Sequence, residues 1–364
     1  MTVSQGSKTG GKGIKTEELI KSYFIESGFF VLRGVSLEFG GLELTDIDIW
    51  TYERSASLAR HRTVFDVKDK QRPHAAERLL FVKGISALID VESAGVITTD
   101  SQPTLREIAE KQGLIWIGGA DLQRLKSSKT LTAVKRLTEE DLLATVRELD
   151  ANRQGKPIYS SLAHIRSAVA TRLGVSSANA ALEGFETFAI DGVKSYPNSQ
   201  AAGALLRLSY HAAAIAAISF DFASQTHILR PPQERAEIVS RGLRLGADPE
   251  AYDEQLKFAE AAIRSYAPND SEIANTVRVG IEQSVEDIPA ESLAEIVVDT
   301  TKNNVMFDVA KELNAAAYDP TLLGFDALSV QARSILGAFL DFSSVDRIRF
   351  SRINGSLNPT LFDQ

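Results

Sequence analysis

Residues 42–68 read LELTDIDIWTYERSASLARHRTVFDVK. Two β-rich runs lie in this stretch, at 42–52 and 62–68. Alternation along a strand puts Leu44, Asp46 and Asp48 on one face and Ile47 and Ile49 on the other. Asp66 and Lys68 are two residues apart, so they too share a face. If the two runs pair as a hairpin, Asp48 reaches the face that carries Asp66 and Lys68. Aspartate is disfavoured in strands. An acid between Ile47 and Ile49, and an acid and a lysine on either side of Val67, therefore need a reason. The plain alternatives are an exposed polar strand face for Asp46 and Asp48 and a surface salt bridge for Asp66 and Lys68.

Working outward, residues 16–27 (TEELIKSYFIES) place Leu19, Ile20, Tyr23 and Phe24 at helical spacing, with Thr16 as N-cap and Gly28 as stop. Residues 29–37 read as a strand, and Gly40-Gly41 as a turn into 42–52. Beyond 68, a helix over 75–91, a strand over 95–99, a helix over 103–112 and a strand over 114–117 follow. A turn at Gly118-Gly119 closes the series. The order α-β-β-β-α-β-α-β predicts an α/β domain with a mixed sheet over 14–125, after a flexible Gly/Ser/Lys arm at 1–13. Residues 126–136, opening with KSSKT, read as a polar linker. From 137 to 364 the period is helical. Helices are expected over 138–152, 159–173, 177–189, 198–224, 232–245, 249–266, 270–284, 291–315 and 327–341, with prolines between most of them. The most apolar run, 201–223, contains Arg207, His211 and Asp221 and reads as a buried core helix, not a membrane span.

Composition narrows the chemistry. The 364 residues include no cysteine, which excludes thiolate zinc sites, iron–sulfur clusters and a cysteine nucleophile. Five histidines leave little for a histidine-rich metal centre. The first residues lack the apolar core of a secretory signal, so a cytoplasmic location is expected. Residues 1–126 carry 17 Lys and Arg against 17 Asp and Glu, so the net charge of −8 belongs to 127–364. Residues 54–83 hold eight basic against three acidic side chains, a local basic stretch in an acidic protein. No G-x-x-x-x-G-K-[ST] occurs, so any ATP-driven step needs a separate partner.

An acid–acid–lysine cluster suits phosphodiester hydrolysis. That reaction adds charge to an anionic phosphorus centre, and hard divalent ions on carboxylate oxygens offset it and acidify a bound water. A lysine can orient the attacking water and screen the phosphate. Carboxylates crowded without a metal repel one another, which argues for Mg²⁺, with Mn²⁺ as substitute.

In this order EELIKSYFIESGFFVL, LTDIDIW, FDVKDKQ, AGVITT and AEKQGLIWIGGADL resemble the PD-(D/E)xK nuclease superfamily, specifically the Mrr-like restriction endonuclease domain. The resemblance covers about a third of the chain and leaves the helical C-terminal part unassigned. It implies a restriction-endonuclease-like fold over about 14–125 and a Mg²⁺-dependent endonuclease that cuts DNA in prokaryotic restriction or antiviral defence. Carried over by position, it makes Asp48, Asp66 and the Val67 carbonyl metal ligands. Lys68 becomes the catalytic lysine, and Glu17 the helix acid that helps to place a metal or water. Gln71 matches the polar residue after the lysine, and Lys70, Arg72 and Arg62 become candidate substrate contacts. The family's proline before the first acid is absent; Ile47 stands there. Two other readings accompany this one: a nuclease fold without turnover that serves as a binding or scaffold subunit, and a nuclease directed at RNA or single strands. Homodimerisation, and a protein partner such as an ATPase or helicase on the acidic helical part, are further expectations. No membrane is expected.

Overall fold

The computed structural model describes residues 10–70, 73–133, 135–151, 153, 155–246, 249–266 and 271–354. The chain divides into two compact units. One is Met1–Arg172 with Tyr318–Thr321, and the other is Leu173–Ala317 with Leu322–Gln364.

The first unit follows the expected order. Helix α1 (Gly10–Glu26) leads into β1 (Phe30–Phe39), β2 (Leu42–Arg54) and β3 (Arg60–Lys68). Then come α2 (Ala75–Leu88), β4 (Ser93–Thr98), α3 (Pro103–Lys111) and β5 (Ile115–Ile117). Five strands form one mixed sheet in the order β1-β2-β3-β4-β5. The first three are antiparallel, and β3, β4 and β5 are parallel. Odd positions of β3 face α1: Phe65 and Val67 pack with Ile20, Phe24, Val31, Ile49, Ile97 and Leu122. Even positions face α2, whose Leu79 and Val82 are buried. Gly28 ends α1 with φ 93°, a conformation only glycine adopts without strain.

Several expectations are corrected. Helix α1 begins at Gly10, inside the expected arm. Thr16 is therefore a buried mid-helix residue and not an N-cap, and its hydroxyl donates to Asp69 Oδ2 at 2.5 Å. Gly118-Gly119 is the start of a helix, α4 (Gly119–Lys126). The expected linker contains α5 (Lys129–Ala133). The boundary at 136 also moves. Helices α6 (Glu139–Ala151) and α7 (Ile158–Thr171) belong to the sheet's own unit. The reason is chemical. Edge strand β1 leaves backbone groups without ladder partners. Arg166 of α7 donates to the Arg33 carbonyl, and Glu38 N–H donates to Ser167 Oγ at 3.3 Å. A buried cluster holds these helices in place. Glu139 meets Lys21 at 3.0 Å and Arg166 at 2.8 Å, and accepts from the Tyr318 hydroxyl at 2.7 Å.

The described part of the second unit is helical. It comprises α8 (Val175–Lys194), α9 (Gln200–Ala223), α10 (Pro232–Leu245), α11 (Pro249–Tyr266), α12 (Ser271–Glu286), α13 (Ala290–Thr301), α14 (Val305–Tyr318, whose last residue joins the first unit), α15 (Val330–Phe342) and α16 (Arg347–Ser351). The single helix expected over 291–315 is broken at Asn304, which takes a left-handed φ of 61° that asparagine tolerates. The helical stretch Gln200–His227 is long and apolar enough to cross a membrane, but 83% of its most apolar window is buried inside the protein. His211 is fully buried there, and its Nδ1 lies 3.2 Å from Asn314 Oδ1, as a core histidine should be.

Candidate active site

The site forms where β2 and β3 part. Their ladder runs from Arg54↔Arg60 to Ile49↔Phe65 and stops. One step further, the Val67 N–H donates to the Asp48 carboxylate at 2.7 Å, so a side chain takes the place of a backbone partner. On the far side of β2, Arg33 pairs with Ile49 and Val35 with Ile47, so Gly34, with φ 59°, lies opposite Asp48. A left-handed residue at this point suits glycine and lets the strand bend beside the fork.

Asp48, Asp66 and Lys68 come together here as the alternation implies. Lys68 Nζ lies 2.9 Å from Asp48 Oδ2, 3.2 Å from Asp66 Oδ1 and 3.2 Å from the Val67 carbonyl. Three oxygens from two strands thus converge on one positive charge. Asp48 and Asp66 line a small cleft with Asp46, Phe81, Val82 and Ile85. Burial pushes the Asp48 carboxyl above its ordinary range; Lys68 opposes this, and Asp66 adds to it. Burial would lower the Lys68 ammonium, but the two aspartates outweigh it and hold its pKa above the usual value.

Glu17 lies near enough to feel this cluster, but it is tied elsewhere. Burial raises its pKa first and the Asp48 charge second, while Arg33 works against both. Its Oε2 meets Arg33 Nη1 at 2.7 Å. Arg33 is buried within β1 and also contacts Glu18 at 2.7 Å and Glu140 of α6. Among the described residues, no three acidic or histidine side chains are grouped to hold a metal ion. The donors fit a hard divalent ion by type, since all are oxygens. They already surround one positive charge, the Lys68 ammonium.

The sequence reading missed Arg78. In the first turns of α2, its Nε donates to Asp66 Oδ2 at 2.8 Å and its Nη2 to Asp66 Oδ1. Its guanidinium lies over the Phe81 ring, 3.9 Å from the centroid. No short motif connects Arg78 to Asp66, because they stand twelve positions apart with a strand-to-helix turn between them. Arg33 could have been found. A charged residue in the apolar run FFVLRGV needs a partner for the same reason that Asp48 does.

Arg62, another candidate substrate contact, is engaged by acidic and backbone partners. It forms a multiple ion pair with Glu92, 2.7 Å at its closest, and donates to the Asp90 carbonyl at 2.5 Å. It is six residues before Lys68, about 20 Å along the strand. Arg60 donates to the Ala56 and Ser57 carbonyls at 2.8 and 2.9 Å, and His61 meets Ser93 at 2.7 Å, so this end of β3 is structural. Lys70 is exposed just beyond the site, and its carbonyl accepts from Thr99 Oγ1 at 2.6 Å. Gln71 and Arg72 lie outside the described residues. Comparison with protein families, with curated proteins and with solved structures finds no match, so the residues above carry the functional argument.

Proposed function

We propose that the first unit is a divalent-metal-dependent endonuclease domain of the PD-(D/E)xK, restriction-endonuclease-like class, and that it hydrolyses phosphodiester bonds in DNA. The observation that carries this reading is the meeting of Asp48, Asp66 and the Val67 carbonyl on Lys68 Nζ, at 2.9 to 3.2 Å. Mg²⁺ bound by these oxygens would supply charge neutralisation at phosphorus and a water of lowered pKa. Asp48 and Asp66 would hold the ion, with the Val67 carbonyl. Lys68 would orient the water and screen the phosphate oxygens. Glu17, steadied by Arg33, would accept hydrogen bonds from the ordered water. Lys70, Gln71 and Arg72, which follow the catalytic lysine, would contact the phosphates. A cytoplasmic role in prokaryotic restriction or antiviral defence follows from the resemblance alone. A homodimer, and an ATPase or helicase partner for the acidic helical unit, belong to the same proposal.

One observation favours the alternative of a scaffold without turnover: Arg78 holds both oxygens of Asp66. Plasmid nicking in Mg²⁺ separates the two readings. Wild type should nick, while Asp66→Ala and Lys68→Ala should not. Equal nicking by all three, or by none, removes the enzyme assignment. A panel of duplex DNA, single-stranded DNA and RNA identifies the substrate.

A further inference from the structure

The cleft is already neutral. Asp48 and Asp66 contribute two negative charges, and Lys68 and Arg78 contribute two positive ones, joined in a row by the contacts Asp48–Lys68, Lys68–Asp66 and Asp66–Arg78. A divalent ion approaching it meets two resident cations and finds both Asp66 oxygens engaged. At separations of about 4 Å in a partly desolvated cleft, such repulsions outweigh what one carboxylate returns. One of the two cations is placed to leave. Asp66 is 6% exposed, whereas the Arg78 side chain is 25% exposed and rests against Phe81 at the cleft's rim. A guanidinium that binds a carboxylate through two N–H groups binds a phosphate in the same way.

We propose that Arg78 is a substrate-displaced latch: in the free protein it occupies Asp66 and keeps the divalent ion out, and a phosphodiester draws it away, so that metal and nucleic acid load together. The proposal rests on the nuclease reading above. It makes the sequence-level worry about bare, repelling carboxylates unnecessary, because the chain provides its own stand-in charge. It also restricts water activation to the complex with nucleic acid. By linkage, the phosphodiester must tighten metal binding by the same factor as metal tightens phosphodiester binding.

The test is Mn²⁺ binding to the full chain, read from the electron paramagnetic resonance of the free ion, with and without a short phosphorothioate duplex. In the wild type the duplex should tighten Mn²⁺ by about 5- to 150-fold, the usual range of such coupling. In Arg78→Ala, Mn²⁺ should bind that much more tightly without duplex, and the duplex should add little. Arg78→Lys retains the charge but loses the two-pronged grip, so it should fall between the two. It carries the same test if Arg78→Ala unfolds. Equal coupling in wild type and Arg78→Ala, or weaker Mn²⁺ binding by Arg78→Ala alone, overturns the latch. Asp66→Asn separates the two ideas. Mn²⁺ binding that depends on Asp66 but ignores Arg78 removes the latch only, and binding that ignores Asp66 removes the metal site itself.

Discussion

At the scale of residues, Asp48 and Asp66 have opposite energetics. Asp66 neutralises both Lys68 and Arg78 and is nearly buried. Asp66→Ala leaves two cations facing each other and should cost about 1–3 kcal/mol, a buried-pair loss discounted for the partial exposure of both bases. Asp48 pays a burial cost for its charge. Asp48→Asn keeps an acceptor for the Val67 N–H and should change stability by less than about 1 kcal/mol. Urea denaturation of the metal-free proteins checks both, and an Asp48→Asn loss as large as that of Asp66→Ala would contradict the arrangement. The expectation from sequence was that removing either acid relieves repulsion. The Arg78 contact leads to the opposite prediction for Asp66. Asp48, Asp66 and Lys68 were legible because a two-residue period fixes the face of a side chain. Arg78 depends on where a helix begins after a turn, and no periodicity encodes that.

At the scale of elements, the start of β3 is fastened to its neighbours by polar contacts. Glu92 shows it. Partial burial works to raise its carboxyl, but hydrogen bonds from the Arg62 side chain and backbone outweigh that and hold it below its ordinary range. A depressed folded-state pKa means stability that is fully present above the unfolded value near 4.5 and lost as pH falls through the folded value. Glu92→Gln should therefore lower stability at neutral pH by about 0.5–1 kcal/mol, given the exposure of the pair, and the deficit should shrink with acid. Arg62→Ala should leave plasmid nicking unchanged; a nicking defect without a stability loss would return Arg62 to the substrate. Helix α7 supplies the other element-scale prediction. Arg166 is buried between Glu139 and the Arg33 carbonyl. Arg166→Ala should cost about 1–3 kcal/mol in urea unfolding, since it leaves the Arg33 carbonyl without this donor and Glu139 with Lys21 and Tyr318 as its remaining partners. The strand and helix order was readable because apolar spacing marks each element. The membership of α6 and α7 was not, since it depends on a few polar and ionic contacts between residues more than a hundred positions apart.

At the scale of the whole molecule, charge would limit how the proposed nucleic-acid substrate is held. Of the basic residues in 54–83, Arg60 and Arg62 are engaged with loops and acids, and Lys83 donates to the Gln112 carbonyl at 2.9 Å. The remaining 127–364 carries the net charge of −8. Duplex affinity should then fall gently with salt, with a log–log slope no steeper than about −4, which corresponds to about four phosphates neutralised. Fluorescence anisotropy across a salt series measures it, and a slope beyond about −7 would reveal a basic surface that the residues named here do not account for. One consequence of the sheet concerns assembly. Its first margin is stitched to α7 by Arg166 and Ser167, and its last margin is a strand of three residues. Both features restrict the ribbon on which another chain could lay its own backbone. If two copies cooperate to sever both backbones of a duplex, they must recognise each other through side chains, and a single surface substitution could uncouple them without disturbing the cutting centre.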